Sequence, residues 1–155
     1  MNTNKLSHWL SLGANIGVLV GIILLVAELN QNRDMMRAQI RHDLAMGIVD
    51  LLQTPASDEQ LAGVLFRAYS TENLTPEEQF QFELRTNALL RYWEDVHYQY
   101  RAGLYDEIEF DRQREAWKAS ISKSVRTREY WCRVRTYYSP EFMREMDGLL
   151  ADNGC

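Results

Sequence analysis

The sequence has few residues that interrupt helices and too few cysteines for a disulfide framework. Its 155 residues include only three prolines and eight glycines, which disfavours a fold of many short strands joined by tight turns. Two cysteines exclude the disulfide scaffold of a small secreted domain. With 17 basic and 22 acidic side chains, the chain also lacks the basic excess of a dedicated nucleic-acid binder. We therefore expect a largely helical protein with no nucleic-acid partner.

The N-terminal part contains a long segment without charge. The 19 residues of Trp9–Ala27 include no Asp, Glu, Lys or Arg, and as a helix they would cover about 28 Å, roughly one hydrocarbon core. The segment is longer than the apolar region of a cleaved signal peptide, and Leu25-Val26-Ala27 is a poor cleavage site. The sequence therefore predicts a membrane-spanning helix at residues 9–28, preceded by a short extracytoplasmic stub at residues 1–8.

One face of this predicted helix carries small residues. Gly13, Gly17 and Gly21 recur every four residues, a pattern that lets another helix backbone approach closely. Asn15 lies in the same half of the span, where an unpaired amide in lipid would be unfavourable. These four residues form the candidate membrane-helix interface. The pattern leaves open whether the partner is a second copy of this chain or another membrane protein.

The charges that flank the span predict its orientation. Lys5 and the α-amine precede it, whereas Arg33, Arg37 and Arg41 follow it. The positive-inside rule places the larger cluster in the cytoplasm, so we expect the C-terminal domain there. Thiols stay reduced in that compartment, and Cys132 is expected to be a buried free thiol.

Beyond the span the apolar residues keep a spacing of three to four, which predicts one helix from about Leu6 to about Gln53. Residues 29–54 would form a stalk and residues 55–155 a cytoplasmic bundle. Five capping residues predict the starts of the later helices: Ser57, Thr75, Asp106, Thr127 and Ser139. No segment alternates as a strand would. The predicted fold is all-α: one N-terminal transmembrane helix continuing into a stalk, followed by a small antiparallel helical bundle.

Charge is unevenly distributed in the soluble part. Residues 72–111 are acidic and residues 118–135 are basic. Six basic side chains form a candidate contact surface: Lys118, Lys123, Arg126, Arg128, Arg133 and Arg135. They could meet anionic lipid headgroups, or the acidic helix of the same or a neighbouring subunit, or simply form a solvated face, and the sequence leaves these three hypotheses open.

Catalytic and metal-binding motifs are scarce. Glu94 and His97 form one Glu-x-x-His pair, but a di-iron bundle needs a second pair, which neither His8 nor His42 provides. The sequence has no Gly-rich phosphate loop, no GxSxG and no HExxH motif. We therefore expect no enzyme activity, no cofactor and no bound metal, and we interpret His97 as a packing residue.

The N-terminal span has the form NxGVLxGxxLLxxELxQN and is followed by a helical domain. The matching residues are Asn15-Ile16-Gly17-Val18-Leu19, Gly21, Glu28-Leu29, Gln31-Asn32, Leu74-Thr75, Trp93-Glu94, Tyr98-Gln99 and Gly103-Leu104. In this the chain resembles an uncharacterised family of short bacterial inner-membrane proteins, over nearly its whole length. The resemblance implies a bacterial source and this architecture, and it brings no activity, substrate or cofactor.

Together these features favour an interaction or scaffold subunit that assembles through its glycine face, as a homo-oligomer or as an accessory to a larger membrane complex. Membrane lipids are its expected surroundings. The alternative is a small homo-oligomeric channel whose first helix lines the pore, with Asn15 as a polar ring. A third hypothesis is an enzyme or metal protein that uses Glu94 and His97.

Overall fold

A computed structural model describes residues 3–70, 72–150 and 155, with side chains from His8 onward. Within these residues the protein is all-α, as predicted, with six α-helices, one 3-10 turn and no strand. The elements are α1 (Thr3–Ser57), α2 (Glu59–Tyr69), α3 (Pro76–Arg101), α4 (Glu107–Lys123), α5 (Val125–Val134), the 3-10 turn (Arg135–Tyr137) and α6 (Pro140–Leu149). The chain divides into two compact units between Gln39 and Ile40.

The first unit is the N-terminal part of α1. From His8 to Gln39 every side chain is exposed. By length and composition α1 is able to cross a membrane, and none of its apolar stretch is buried. The predicted stub at residues 1–8 lies almost entirely outside the described side chains, as does the side chain of Lys5.

The second unit begins with the last turns of α1. Leu44 is buried in its core, and the Tyr92 hydroxyl donates a hydrogen bond to the Leu44 carbonyl oxygen at 3.1 Å. A Cβ added at Gly47 would lie 3.4 Å from the Tyr92 ring, so this turn of α1 packs closely against α3. The division between the two units therefore falls inside the segment predicted as a stalk.

Local capping explains where most helices begin. Thr75 and Glu78 form the predicted reciprocal capping box at the start of α3, with Pro76 in the first turn. The Asp106 carboxylate accepts hydrogen bonds from two backbone N–H groups of α4, as predicted. Gly103, just after α3, has φ of +73°, a conformation that glycine adopts without strain.

Two predicted caps were wrong. Helix α2 is capped by Asp58 rather than Ser57, because the Ser57 hydroxyl instead donates to the Gln53 and Thr54 carbonyl oxygens at the end of α1. Helix α5 is capped by Ser124 rather than Thr127. Ser124 and Thr127 are hydrogen-bonded to each other through their hydroxyls at 2.8 Å, and both are buried.

The main core of the second unit is aromatic. Trp93 and Trp117 stack with ring centroids 5.5 Å apart, and Phe142 packs edge-on against both Trp117 and Trp131. A smaller cluster between α2 and α3 contains Val64, Ala68 and Phe82. Because these side chains recur at helical spacing, the sequence pattern alone indicated most of this core.

Candidate functional site

The three glycines of the candidate membrane-helix interface lie on a fully open helix face. A Cβ added at Gly13, Gly17 or Gly21 would meet no atom within 4 Å. Asn15 is exposed in the same stretch of α1, but it lies about 200° around the helix from Gly13 and Gly17 and therefore not on the glycine face. Spacing every four residues keeps the three glycines on one side of the helix. The face is therefore free for a second helix to approach closely.

The six basic residues of the candidate contact surface do not share one environment. Arg126 of α5 donates to the Ala68 carbonyl oxygen in the last turn of α2 and to the Glu72 carbonyl oxygen just after that helix. Arg133 pairs with Glu83 of α3 at 2.6 Å, and Arg135 pairs with Asp147 of α6. Three of the six are thus held by groups of this chain.

The remaining three basic residues differ in exposure. Lys118 and Lys123 on α4 are exposed, whereas Arg128 on α5 is half-buried. The pair between Arg133 and Glu83 joins the basic segment to the acidic helix of the same chain. Among the six, Lys118 and Lys123 are the exposed side chains for which the described residues provide no ion pair.

Glu94 and His97 have different surroundings. Glu94 accepts hydrogen bonds of 2.7 Å from the Ser139 backbone N–H and from the Arg91 guanidinium. Burial raises the pKa of Glu94, but these hydrogen bonds outweigh it and hold the pKa below its usual value. His97 is buried between Phe110 and Phe142, with ring centroids 6.0 and 5.7 Å away.

Burial lowers the pKa of His97, against the opposing influence of Glu145. In the described part of the chain, no group of three or more His, Cys, Asp or Glu side chains is placed to hold a metal ion. The geometry at this pair is that of helix packing, with Glu94 joining α3 to the start of α6.

The expectation of a free buried thiol at Cys132 was wrong. Cys132 of α5 and Cys155 form a disulfide, with Cα atoms 5.4 Å apart. The sequence did not indicate this bond, because 23 positions separate the two cysteines and a contact over that distance depends on tertiary packing. The bond ties the last residue to the core helix α5.

A further polar site, which we did not predict from the sequence, surrounds Arg85 of α3. The guanidinium Nη2 donates to the Leu51 carbonyl oxygen of α1, and the buried Nε and Nη1 have no hydrogen-bond partner among the described residues. Pro55 lacks an N–H, so the Leu51 carbonyl four residues earlier loses its helical donor and Arg85 replaces it.

A sequence signal for this site existed. Arg85 lies between Phe82 and Leu89 at three- to four-residue spacing, which is the register of the packed face of α3. A charged residue at such a position needs a partner.

Comparison with protein-family models, with curated proteins and with solved structures finds no match to this chain.

Proposed function

We propose that this protein is a membrane-anchored helical interaction subunit that assembles through the glycine face of α1. It would act as a homo-oligomer or as an accessory subunit of a larger membrane complex. The observation that carries the proposal is the exposure of the apolar residues of α1. Soluble monomers rarely expose a continuous apolar surface of this length, and a bilayer would cover it.

The large apolar side chains of α1 are mostly exposed. Trp9, Val18 and Leu24 keep 67%, 64% and 60% of their surface exposed. Lipid would cover the bulky sides of the helix, whereas Gly13, Gly17 and Gly21 leave a shallow groove that fits another helix better than it fits lipid chains. The glycine groove therefore supports helix association within the membrane.

The proposed location is the bacterial inner membrane, with the N-terminus outside and the second unit in the cytoplasm. Arg33, Arg37 and Arg41 support this orientation through the positive-inside rule. The resemblance to short bacterial inner-membrane proteins supports the bacterial source. On this orientation Lys118 and Lys123 would be available to anionic headgroups of the inner leaflet.

The disulfide provides an independent test of the orientation, because disulfides are rare in a reducing cytoplasm. Cells expressing the protein would be quenched in acid and their free thiols labelled with a maleimide. We expect Cys132 and Cys155 to be labelled without reduction, with the bond forming only after lysis. Labelling that requires prior reduction would reverse the proposed orientation.

The assembly is tested by the mass of the detergent-extracted particle, measured by native mass spectrometry. We expect an oligomer that dissociates in Gly17→Leu, because the leucine side chain would fill the groove. Leu19→Phe is the matched control, since residue 19 lies about 200° around the helix from residue 17.

Equal masses for Gly17→Leu, Leu19→Phe and wild type would contradict assembly through the glycine face. A closed ring of subunits in the wild type would instead favour the alternative that the protein is a homo-oligomeric channel. Conductance in liposomes would then be compared between wild type and Asn15→Leu.

A further inference from the structure

We propose that Cys132 and Cys155 form a reversible thiol-exchange site. A small thiol such as glutathione opens their disulfide, and the disulfide of the same thiol closes it, while the second unit stays folded. The chemistry of this site is independent of the glycine face. Only its resting state, a dithiol in a reducing cytoplasm, rests on the proposed function.

The first argument is the exposure of the two cysteines. Cys155 is exposed and Cys132 is half-buried on α5, whereas the adjacent Trp131 is fully buried. Reduction of a disulfide requires a thiolate to reach one of its two sulfur atoms, and exposed disulfides are in general more readily reduced than structural ones. Cys155 is therefore the residue that an external thiol should attack first.

The second argument is that other contacts hold α5 and the turn after it against α6. Trp131 Nε1 donates to the Asp147 carboxylate at 3.1 Å, and the Arg135 guanidinium pairs with the same carboxylate. The Trp131 ring packs edge-on against Phe142, with ring centroids 5.7 Å apart. Because none of these contacts involves a sulfur atom, opening the disulfide should leave the two helices packed.

The third argument is that the fold keeps the opened pair close together. Leu150, which follows α6, is buried in the core. Cys155 lies five positions beyond Leu150, and five residues span at most about 18 Å even when fully extended. A thiol on so short a tether has an effective concentration near the millimolar range, so the disulfide should re-form without a second protein.

Opening of the site consists of two thiolate attacks. A glutathione thiolate attacks the Cys155 sulfur, the bond between the protein sulfurs breaks, and Cys132 leaves as a thiolate that takes up the proton glutathione lost. A second glutathione thiolate attacks the glutathione sulfur of this mixed disulfide, and Cys155 leaves as a thiolate and is protonated in turn. One protein disulfide is reduced, and two glutathione molecules are oxidised to one glutathione disulfide.

Closure uses the same steps in reverse. Glutathione disulfide forms a mixed disulfide with Cys155, and the Cys132 thiolate then displaces glutathione from it. The oxidised site ties residue 155 to α5, and the reduced site releases it. The attachment of the segment beyond α6 therefore follows the thiol–disulfide balance of its surroundings.

The test is the redox equilibrium of the purified full-length protein in nanodiscs, in glutathione buffers with graded ratios of thiol to disulfide. Samples are quenched in acid, labelled with a maleimide and measured by mass spectrometry, while circular dichroism follows helicity. We expect complete conversion to the dithiol when reduced glutathione predominates, and return to the disulfide when glutathione disulfide predominates. Helicity should be the same in both states.

Two single-cysteine variants test the order of attack. In glutathione disulfide, Cys132→Ser presents Cys155 as its only thiol, and Cys155→Ser presents Cys132. We expect the mixed disulfide to form about tenfold faster at Cys155, because Cys155 is exposed and Cys132 is half-buried.

The proposal is overturned if excess reduced glutathione opens the bond only after the protein is unfolded in urea. It is also overturned if reduction abolishes helicity, or if Cys132 reacts as fast as Cys155. Failure of the proposed orientation is a separate result. A bond that glutathione opens in the purified protein, but that is oxidised in intact cells, supports the exchange site and contradicts the cytoplasmic location alone.

Discussion

The carboxylate of Glu94 on α3 accepts a 2.7 Å hydrogen bond from the backbone N–H of Ser139, the residue that caps α6. The Ser139 side chain makes no capping hydrogen bond of its own, so a distant acid contributes at this helix start. A negative charge at a helix N-terminus is also favoured by the helix dipole. Glu94 therefore helps to fix α6 against α3.

Glu94→Gln should lower the free energy of unfolding by about 1–2 kcal/mol near neutral pH, because the hydrogen bonds from Ser139 and Arg91 lose their charge assistance. The folded pKa of Glu94 lies below its ordinary value of 4.5, so this stability is present above that value and is lost as the pH falls through the folded pKa. Denaturant unfolding followed by circular dichroism at both ends of this range measures the effect. Glu115→Gln, at an exposed position of α4, is the control, and an equal loss in both variants would contradict the role of Glu94.

His97 should make stability depend on pH near neutrality. Burial lowers its pKa from 6.5, so the folded state favours the neutral imidazole and the unfolded chain binds the proton first. Stability is therefore full above about pH 7 and falls as the pH decreases toward about pH 5. The carboxylates of Glu94, Glu141 and Glu145 oppose this shift, and Arg101 adds to it.

The measurement is the unfolding midpoint of wild type and His97→Phe across that pH range. Phenylalanine should keep the packing with Phe110 and Phe142 and remove the titrating group. We expect the difference between the two proteins to grow in favour of the variant as the pH falls. A difference that stays constant with pH would show that His97 does not titrate in this window.

Two buried tryptophans, one with an indole hydrogen bond and one without, allow the contribution of that hydrogen bond to the free energy of unfolding to be measured. Trp131 and Trp117 are both essentially inaccessible, but Trp131 Nε1 donates to Asp147 at 3.1 Å, whereas Trp117 Nε1 has no partner among the described residues. Trp131→Phe should therefore cost about 2 kcal/mol more than Trp117→Phe, because only the first substitution breaks a hydrogen bond. Chemical unfolding of the two variants measures the difference, and a larger cost at Trp117 would refute the assignment of partners.

The disulfide should stabilise the second unit. Cys155→Ser opens a closed loop between positions 132 and 155, and chain entropy predicts a loss of about 3.4 kcal/mol. Thermal unfolding of oxidised wild type should show a higher midpoint than the variant. Reductant is the control: it should bring wild type to the midpoint of Cys155→Ser and leave that variant unchanged. If the two midpoints differ as much after reduction as before, the change has another origin.

The capping motifs show which local features could be predicted. Thr75 with Glu78, and Asp106, were assigned correctly because each cap acts within one turn of its own helix. Ser57 and Thr127 were assigned wrongly because a neighbouring residue competed for the same role in each case. The aromatic core followed from helical spacing, although spacing did not show that Leu44 of α1 joins it.

The helical class, the long apolar helix, most helix starts and the buried faces could be predicted from the sequence, because each depends on residues within a few positions of one another. The contacts between distant groups became visible only in the folded chain. Cys155 forms a disulfide with Cys132, and Glu94 accepts a hydrogen bond from the Ser139 N–H. Arg85 donates to the Leu51 carbonyl oxygen, which lacks its helical donor because residue 55 is proline. Contacts of this kind depend on how whole helices pack against one another, and local sequence patterns do not predict that packing.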